Sequence, residues 1–127
     1  YPPAWTIARN VVNDDEVCGY RVPSGAFILL SPYITQRLDE FWPDPERFDP
    51  QRFTAENARG RHRFAWFPFS AGPRVCIGKQ FSMLEGQLIL AQLMRQFRVH
   101  VDNETLGFKA EGTLHPDRPV KFRLERR

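Results

Sequence analysis

Apolar residues recur at three- and four-residue steps over only one long run. Phe81, Leu84, Leu88 and Ala91 fall on one line, with Leu90, Met94 and Phe97 on an adjoining line. This spacing predicts a helix from Ile77 or Gly78 to Gln96. The stripe is wide, which implies burial on more than one side. Elsewhere the pattern is short and broken. The first ten residues begin extended, because Pro2 and Pro3 bar helix from the residues before them. Residues 17–22 and 26–30 read as two strands, joined into a hairpin by Pro23-Ser24-Gly25. A short helix fits residues 31–38, with Pro32 suited to its first turn. Residues 39–69 are irregular and proline-rich, and within them 54–63 is a polar, basic surface loop. Val99 and Val101 continue as a strand after the helix. Near the end, Val120, Phe122 and Leu124 alternate with Lys121, Arg123 and Glu125, as a half-buried strand does. The fold class is α+β.

Composition changes that picture in one respect. A chain of 127 residues is the size of one small domain, but eleven prolines and eight glycines interrupt it. The rings of Phe41, Trp42, Phe48, Phe53, Phe64, Trp66, Phe67 and Phe69 stand in chain with no helix or strand to order them. Rings so placed need a surface to lie against, so the chain reads as part of a larger body. The charge adds little. Eighteen Lys and Arg against fifteen Asp and Glu leave +3, too small an excess to propose a nucleic-acid partner without a basic-aromatic motif. No signal peptide and no apolar run near membrane-span length is visible. Cys18 and Cys76 make no disulfide framework, which fits a reducing compartment. No second motif draws Cys18, His100 or His115 into a shared site.

The chemistry concentrates in Phe69-Ser70-Ala71-Gly72-Pro73-Arg74-Val75-Cys76-Ile77-Gly78, a glycine-framed cysteine just before the long helical pattern. A sulfur at a helix N-terminus sits where backbone N–H groups favour negative charge. That favours the thiolate, the form that binds metal. No second Cys or His stands at zinc spacing. A metal satisfied by one protein ligand brings most of its coordination with it, and haem iron, for which Cys thiolate is a known axial ligand, is the leading candidate. Gly72 permits a tight turn, and Gly78 lets a flat macrocycle approach the backbone.

The ten residues match Phe-x-x-Gly-x-Arg-x-Cys-x-Gly, and the chain thereby resembles the cytochrome P450 family. Two further stretches agree in order. Trp42-Pro43-Asp44-Pro45-Glu46 with Phe48-Asp49-Pro50-Gln51-Arg52-Phe53 resembles the approach to that family's meander loop, and Tyr1-Pro2-Pro3-Ala4-Trp5 with Arg9 resembles the segment directly after its Glu-x-x-Arg helix motif. The resemblance implies a C-terminal portion of a mainly α fold: β-hairpin, proline-rich meander, cysteine-ligand loop, long helix and C-terminal strands. Residues 1–127 would be a partial domain, without the Glu-x-x-Arg helix or the helix that activates oxygen. It implies haem b (iron protoporphyrin IX) as cofactor, with Cys76 as axial ligand of the iron, Arg74 and Arg9 on the propionates, and Phe69 near the sulfur. Arg52 would join the Glu-x-x-Arg pair. Ala4, Trp5, Thr6, Gly112, Thr113 and Leu114 would border the substrate pocket. One departure stands at Gln36-Arg37, where the family commonly has His-Arg.

The activity implied is insertion of one oxygen atom from O₂ into a small organic substrate. Electrons would come from ferredoxin with its reductase, or from a flavin reductase. Arg59, Arg61, His62 and Arg63, with Lys79, form a basic group suited to an acidic donor. The style of the first five residues implies a soluble, cytoplasmic, bacterial-like member, while leaving open a membrane anchor in an N-terminal part. The alternative reading is a truncated chain that holds haem, or nothing, without turnover.

Overall fold

The computed structural model describes residues 2–101 and 106–127. Two compact units divide the chain, one ending at Ser70 and the other starting at Ala71.

The first unit opens with nested hairpins. Strand β1 (Ile7–Asn10) pairs antiparallel with β4 (Phe27–Leu30), Ile7 opposite Leu30 and Asn10 opposite Phe27. Between them, β2 (Asp15–Val17) and β3 (Tyr20–Val22) form a smaller hairpin with Val17 opposite Tyr20. This corrects the expected pairing of residues 17–22 with 26–30. Cys18 and Gly19 both take left-handed backbone, at φ 51° and 82°, the conformation that a two-residue hairpin turn requires. The expected single strand therefore breaks at Cys18. Pro23–Gly25 remains a turn, but it returns the chain to β1: the Gly25 N–H donates to the Val11 carbonyl at 2.8 Å.

A short helix α1 (Pro32–Thr35) follows, as expected but briefer. The Ser31 side chain accepts from the Ile34 N–H at its N-terminus, while its hydroxyl donates to the Trp5 carbonyl at 2.9 Å. Beyond it the chain is irregular to Ser70, apart from a 3₁₀ turn over Pro50–Phe53 capped by Asp49.

The rings of this stretch are nevertheless ordered, and arginines order them. Trp42 and Ala65 are the buried apolar side chains among the described residues, prolines aside. Trp42, Phe53 and Trp66 form a chain of rings with centroids 5.8 and 5.3 Å apart. Arg52 donates to the carbonyls of Pro43, Asp44 and Arg47, and Arg61 donates to the carbonyl of Arg52 at 2.9 Å. Side chain-to-backbone bonds here replace the ladders that a helix or strand would supply.

The second unit contains helix α2 (Lys79–Gln96), close to the predicted span. It leads into β5 (Phe97–Val101), which pairs antiparallel with β8 (Phe122–Arg126). A small hairpin, β6 (Phe108–Ala110) with β7 (Leu114–Pro116), lies between them in sequence and has no counterpart in the periodicity reading. Two expectations about burial are corrected. No residue of α2 is buried, and Phe81, Leu84 and Leu88 are each more than half exposed. All five residues of β8 are exposed, so its alternation marks sidedness without burial.

Candidate functional site

The cysteine loop is built locally. Gly72–Arg74 forms a 3₁₀ turn that Gly72 enters at φ +67°, a conformation that side chains with a Cβ resist. The Val75 N–H closes the turn onto the Gly72 carbonyl at 3.1 Å. Cys76 follows, and its carbonyl accepts from the Lys79 N–H at 3.3 Å as α2 begins. Gly78 is the N-cap of α2 and has no side chain to accept from the first-turn N–H groups.

The Cys76 thiol is free and exposed. Its chain neighbours Ile77 and Val75 are apolar and exposed, the first fully and the second by nearly half. A Cβ built on Gly78 would meet the Cys76 Sγ at 3.8 Å, and nothing else lies within 4 Å of it. Gly78 thus keeps open the space beside the sulfur. Arg74 is exposed at the end of the 3₁₀ turn and makes no hydrogen bond or ion pair among the described residues. Among those residues, no three His, Cys, Asp or Glu side chains converge as metal ligands, so Cys76 stands as a single donor.

The other two candidate residues lie in the first unit. Arg9 is half-buried on β1, opposite Ile28. Its Nη1 donates to the Ala8 carbonyl at 2.7 Å, and its Nη2 reaches the Ser70 hydroxyl at 3.4 Å. Arg9 is therefore held beside the start of the ten-residue motif, across 61 positions of sequence. Phe69 is half-buried, and Ser70 takes left-handed backbone at φ 63°, a second sharp turn in the same motif.

The basic group reads differently in three dimensions. The Arg61 guanidinium lies 4.1 Å from the centroid of the Trp42 ring, Arg63 lies 4.3 Å from that of Phe64, and His62 stacks on Phe41. These are not simply solvated charges. Arg52, whose expected partners lay elsewhere, is occupied by three backbone carbonyls. Sequence reasoning missed both roles, because a guanidinium bonded to carbonyls or rings leaves no periodic trace. A cleft of about 330 Å³, lined by Gln36, Arg37, Trp42, Arg52, Phe53 and Trp66, opens beside this cluster and shares no residue with the cysteine motif. The amide Nε2 of Gln36, where the sequence departs from the family pattern, is buried with no hydrogen-bond partner among the described residues. Among the described residues, no helix is long and apolar enough to cross a membrane.

Comparison with known proteins agrees with this architecture. Residues 1–123 match the family model described as Cytochrome P450. The chain is 42% identical to cytochrome P450 4V2 of Mus musculus, over all of this chain and 25% of that protein. It is 39% identical to thromboxane-A synthase of Sus scrofa, over 98% of this chain and 24% of that one. The crystal structure of the cytochrome P450DA heme domain superposes with a TM-score of 0.87 at 30% identity, covering 97% of this chain and 28% of that chain. The chain thus spans about a quarter of the length of these relatives. Hairpins, meander, cysteine loop, long helix and terminal strands occur in the order of that fold, and the chain belongs to the cytochrome P450 family.

Proposed function

We propose that residues 1–127 are the C-terminal portion of a haem-thiolate monooxygenase, one part of a larger domain. Its Glu-x-x-Arg helix and oxygen-activating helix would come from other residues. The full-length protein would insert one oxygen atom from O₂ into a small organic substrate. Ferredoxin with its reductase, or a flavin reductase, would deliver the electrons. The proposed compartment is the cytoplasm, with any membrane attachment made outside this chain; both cysteines are free thiols, which suits a reducing setting.

One observation carries the reading: an exposed, unpaired thiol at the start of α2, beside a glycine that leaves the space next to Sγ open. These residues fit haem b. When bound, haem supplies the oxygen chemistry, and thiolate ligation favours O–O cleavage. The residues of the chain do the rest. Cys76 would hold the iron through its sulfur and donate electron density to it. Arg74, whose guanidinium has no other partner among the described residues, and Arg9 each offer a fork to a propionate. Phe69 would serve, as the family resemblance implies, to limit water at the ligand and so tune its donation. Gly72 supplies the turn, and Gly78 admits the macrocycle.

The test is the carbon monoxide spectrum of the reduced full-length protein. The long-wavelength band of sulfur-ligated haem is expected in the wild type and absent from Cys76→Ala. A band that persists in Cys76→Ala refutes the assignment.

A second reading, in which this stretch by itself holds haem or nothing and does not turn over, is compatible with the same exposure of α2. Expressing residues 1–127 by themselves tests both readings: substrate-dependent oxygen uptake by that piece would overturn the partial-domain proposal and the second reading alike.

A further inference from the structure

Arg61 is used unlike the charges around it. Arg63 covers Phe64, a ring that is 42% exposed, so that pair lies at the surface. Arg61 covers Trp42, which is 4% exposed. Its Nη2 also donates to the carbonyls of Arg52 at 2.9 Å and Asn57 at 3.2 Å. The guanidinium is thus fixed on one side by backbone and presented by the other to the indole face.

Trp42 passes this on. Its indole N–H donates to the carbonyl of Ala65 at 3.1 Å, and Ala65 is fully buried. The Ala65 N–H in turn donates to the His62 carbonyl at 2.9 Å, so both backbone groups of Ala65 are engaged. A cation over the ring draws electron density from it and strengthens the N–H as a donor. Further along, the Ser70 N–H donates to the Phe67 carbonyl at 3.0 Å, and the Ser70 hydroxyl lies against Arg9. The segment 62–70 has no helix or strand. Besides ring contacts at His62 and Trp66, hydrogen bonds from outside the segment pin it at two places, Ala65 and Ser70.

We propose that Arg61 is a positioning residue of the cysteine loop, acting through Trp42 to fix Ala65 and so the chain that enters Phe69–Gly78. The inference rests on the haem-thiolate reading above. A loop whose entry wanders holds the sulfur less well. The expected symptom is a larger share of bound haem that lacks the thiolate, with haem still present.

The experiment compares Arg61→Ala and Trp42→Phe in the haem-loaded full-length protein, recording the reduced carbon monoxide spectrum at equal haem. The ratio of the long-wavelength band to the short-wavelength band is expected to fall roughly threefold to tenfold in each variant. The double variant is expected to fall no further than the lower single one, because both act on the same pin. An unchanged ratio in Arg61→Ala overturns the proposal. So does loss of bound haem with an unchanged ratio in the remainder, which is the signature of a residue that only stabilises the fold. Where Arg61→Ala gives no holoprotein, Trp42→Phe decides by the same criterion, since it keeps a ring and removes the N–H. A wild-type protein with no long-wavelength band sinks the haem-thiolate reading, and this inference with it.

Discussion

Replacing Arg52 with methionine isolates the work of one guanidinium. Methionine keeps an unbranched apolar stem and removes every donor, so stem packing and hydrogen bonding separate. Arg52 donates to the carbonyls of Pro43, of Asp44 at 2.6 Å and of Arg47 at 3.3 Å. The first two are full bonds, and the third lies beyond the usual range and counts for little. Hydrogen bonds to charged groups contribute about 1.5–3 kcal/mol each when well buried. Arg52 is half-exposed, so the low end applies, and the loss should be about 2–3 kcal/mol. It should appear as local opening, because all three carbonyls lie in one short stretch of the meander. Amide hydrogen exchange over residues 43–54 of the full-length protein reads this directly, for example at the Arg47 and Thr54 N–H groups, which donate to Asp44 and Gln51. In the regime where opening precedes exchange, 2–3 kcal/mol corresponds to roughly 30- to 150-fold faster exchange there. Arg52→Lys should fall between wild type and Arg52→Met, since an ammonium lacks the planar fork that spans separate carbonyls. Exchange in Arg52→Met within about threefold of wild type would refute the clamp, and would leave Arg52 only the role implied by resemblance, toward a Glu-x-x-Arg pair.

Three other predictions concern the hairpins and the loop glycines. The Asp14 carboxylate accepts from the Ser24 N–H at 2.7 Å and from Arg21 at 3.1 Å; first the backbone bond and then Arg21 hold its carboxyl below the ordinary aspartate value of 3.8. A lowered folded-state value means that Asp14 helps hold the nested hairpins above the unfolded value, and that this help is lost as pH falls through the folded one. An NMR titration should give an Asp14 midpoint below 3.8, moved up but not fully restored by Arg21→Ala; a midpoint at or above 3.8 refutes the contact. Gly72→Ala should cost about 1–2 kcal/mol of stability through its left-handed backbone, since a Cβ there meets nothing within 4 Å, and Gly72→Asn should cost less. Gly78→Ala should lower the melting point of the apoprotein only slightly, because its φ of −81° is ordinary and only the N-cap preference for glycine over alanine is lost, yet lower haem occupancy at equal haem supplied. Equal occupancy in Gly78→Ala would remove the role given to that glycine.

The features legible in the sequence were the local ones. Helix α2 was legible because Phe81, Leu84 and Leu88 repeat within one element, and the cysteine loop because Gly72, Arg74, Cys76 and Gly78 lie within one turn and a cap. The nested hairpins were misread because the decisive turn is carried by Cys18, a residue without turn preference; the one available signal was Gly19 directly after it. The β6–β7 hairpin escaped because strands of three residues carry too little alternation to detect, although Gly112 marks its turn. Arg52, Arg61 and the Arg9–Ser70 contact escaped for a different reason. A side chain that bonds to backbone or rings far along the chain has no spacing rule, so only coordinates can find it.

The exposure of α2 and the chemistry of Cys76 are physically linked. Phe81, Leu84, Leu88 and Leu90 are between 58% and 71% exposed. Fully burying a side chain of this size is worth about 1.5–3 kcal/mol, so covering the exposed part of these four represents about 4–7 kcal/mol, comparable to the lower end of an ordinary domain's whole stability. A helix of 18 residues with no buried side chain has little beyond its own hydrogen bonds to hold it straight, and such helices are marginal in water. Cys76 depends on that helix, because its carbonyl accepts the Lys79 N–H and its sulfur stands at the N-terminal end. Whatever covers the apolar stripe therefore also steadies the thiol. This couples the two halves of our proposal: the surrounding domain that would bury α2 is also what would hold the exposed cysteine in place as a haem ligand. The same mutation that loosens the stripe, Leu88→Ala, should thus weaken thiolate ligation in the full-length protein without touching the haem. Intact thiolate ligation, seen in the carbon monoxide spectrum of a Leu88→Ala protein with a lowered melting point, would show that helix and ligand are independent.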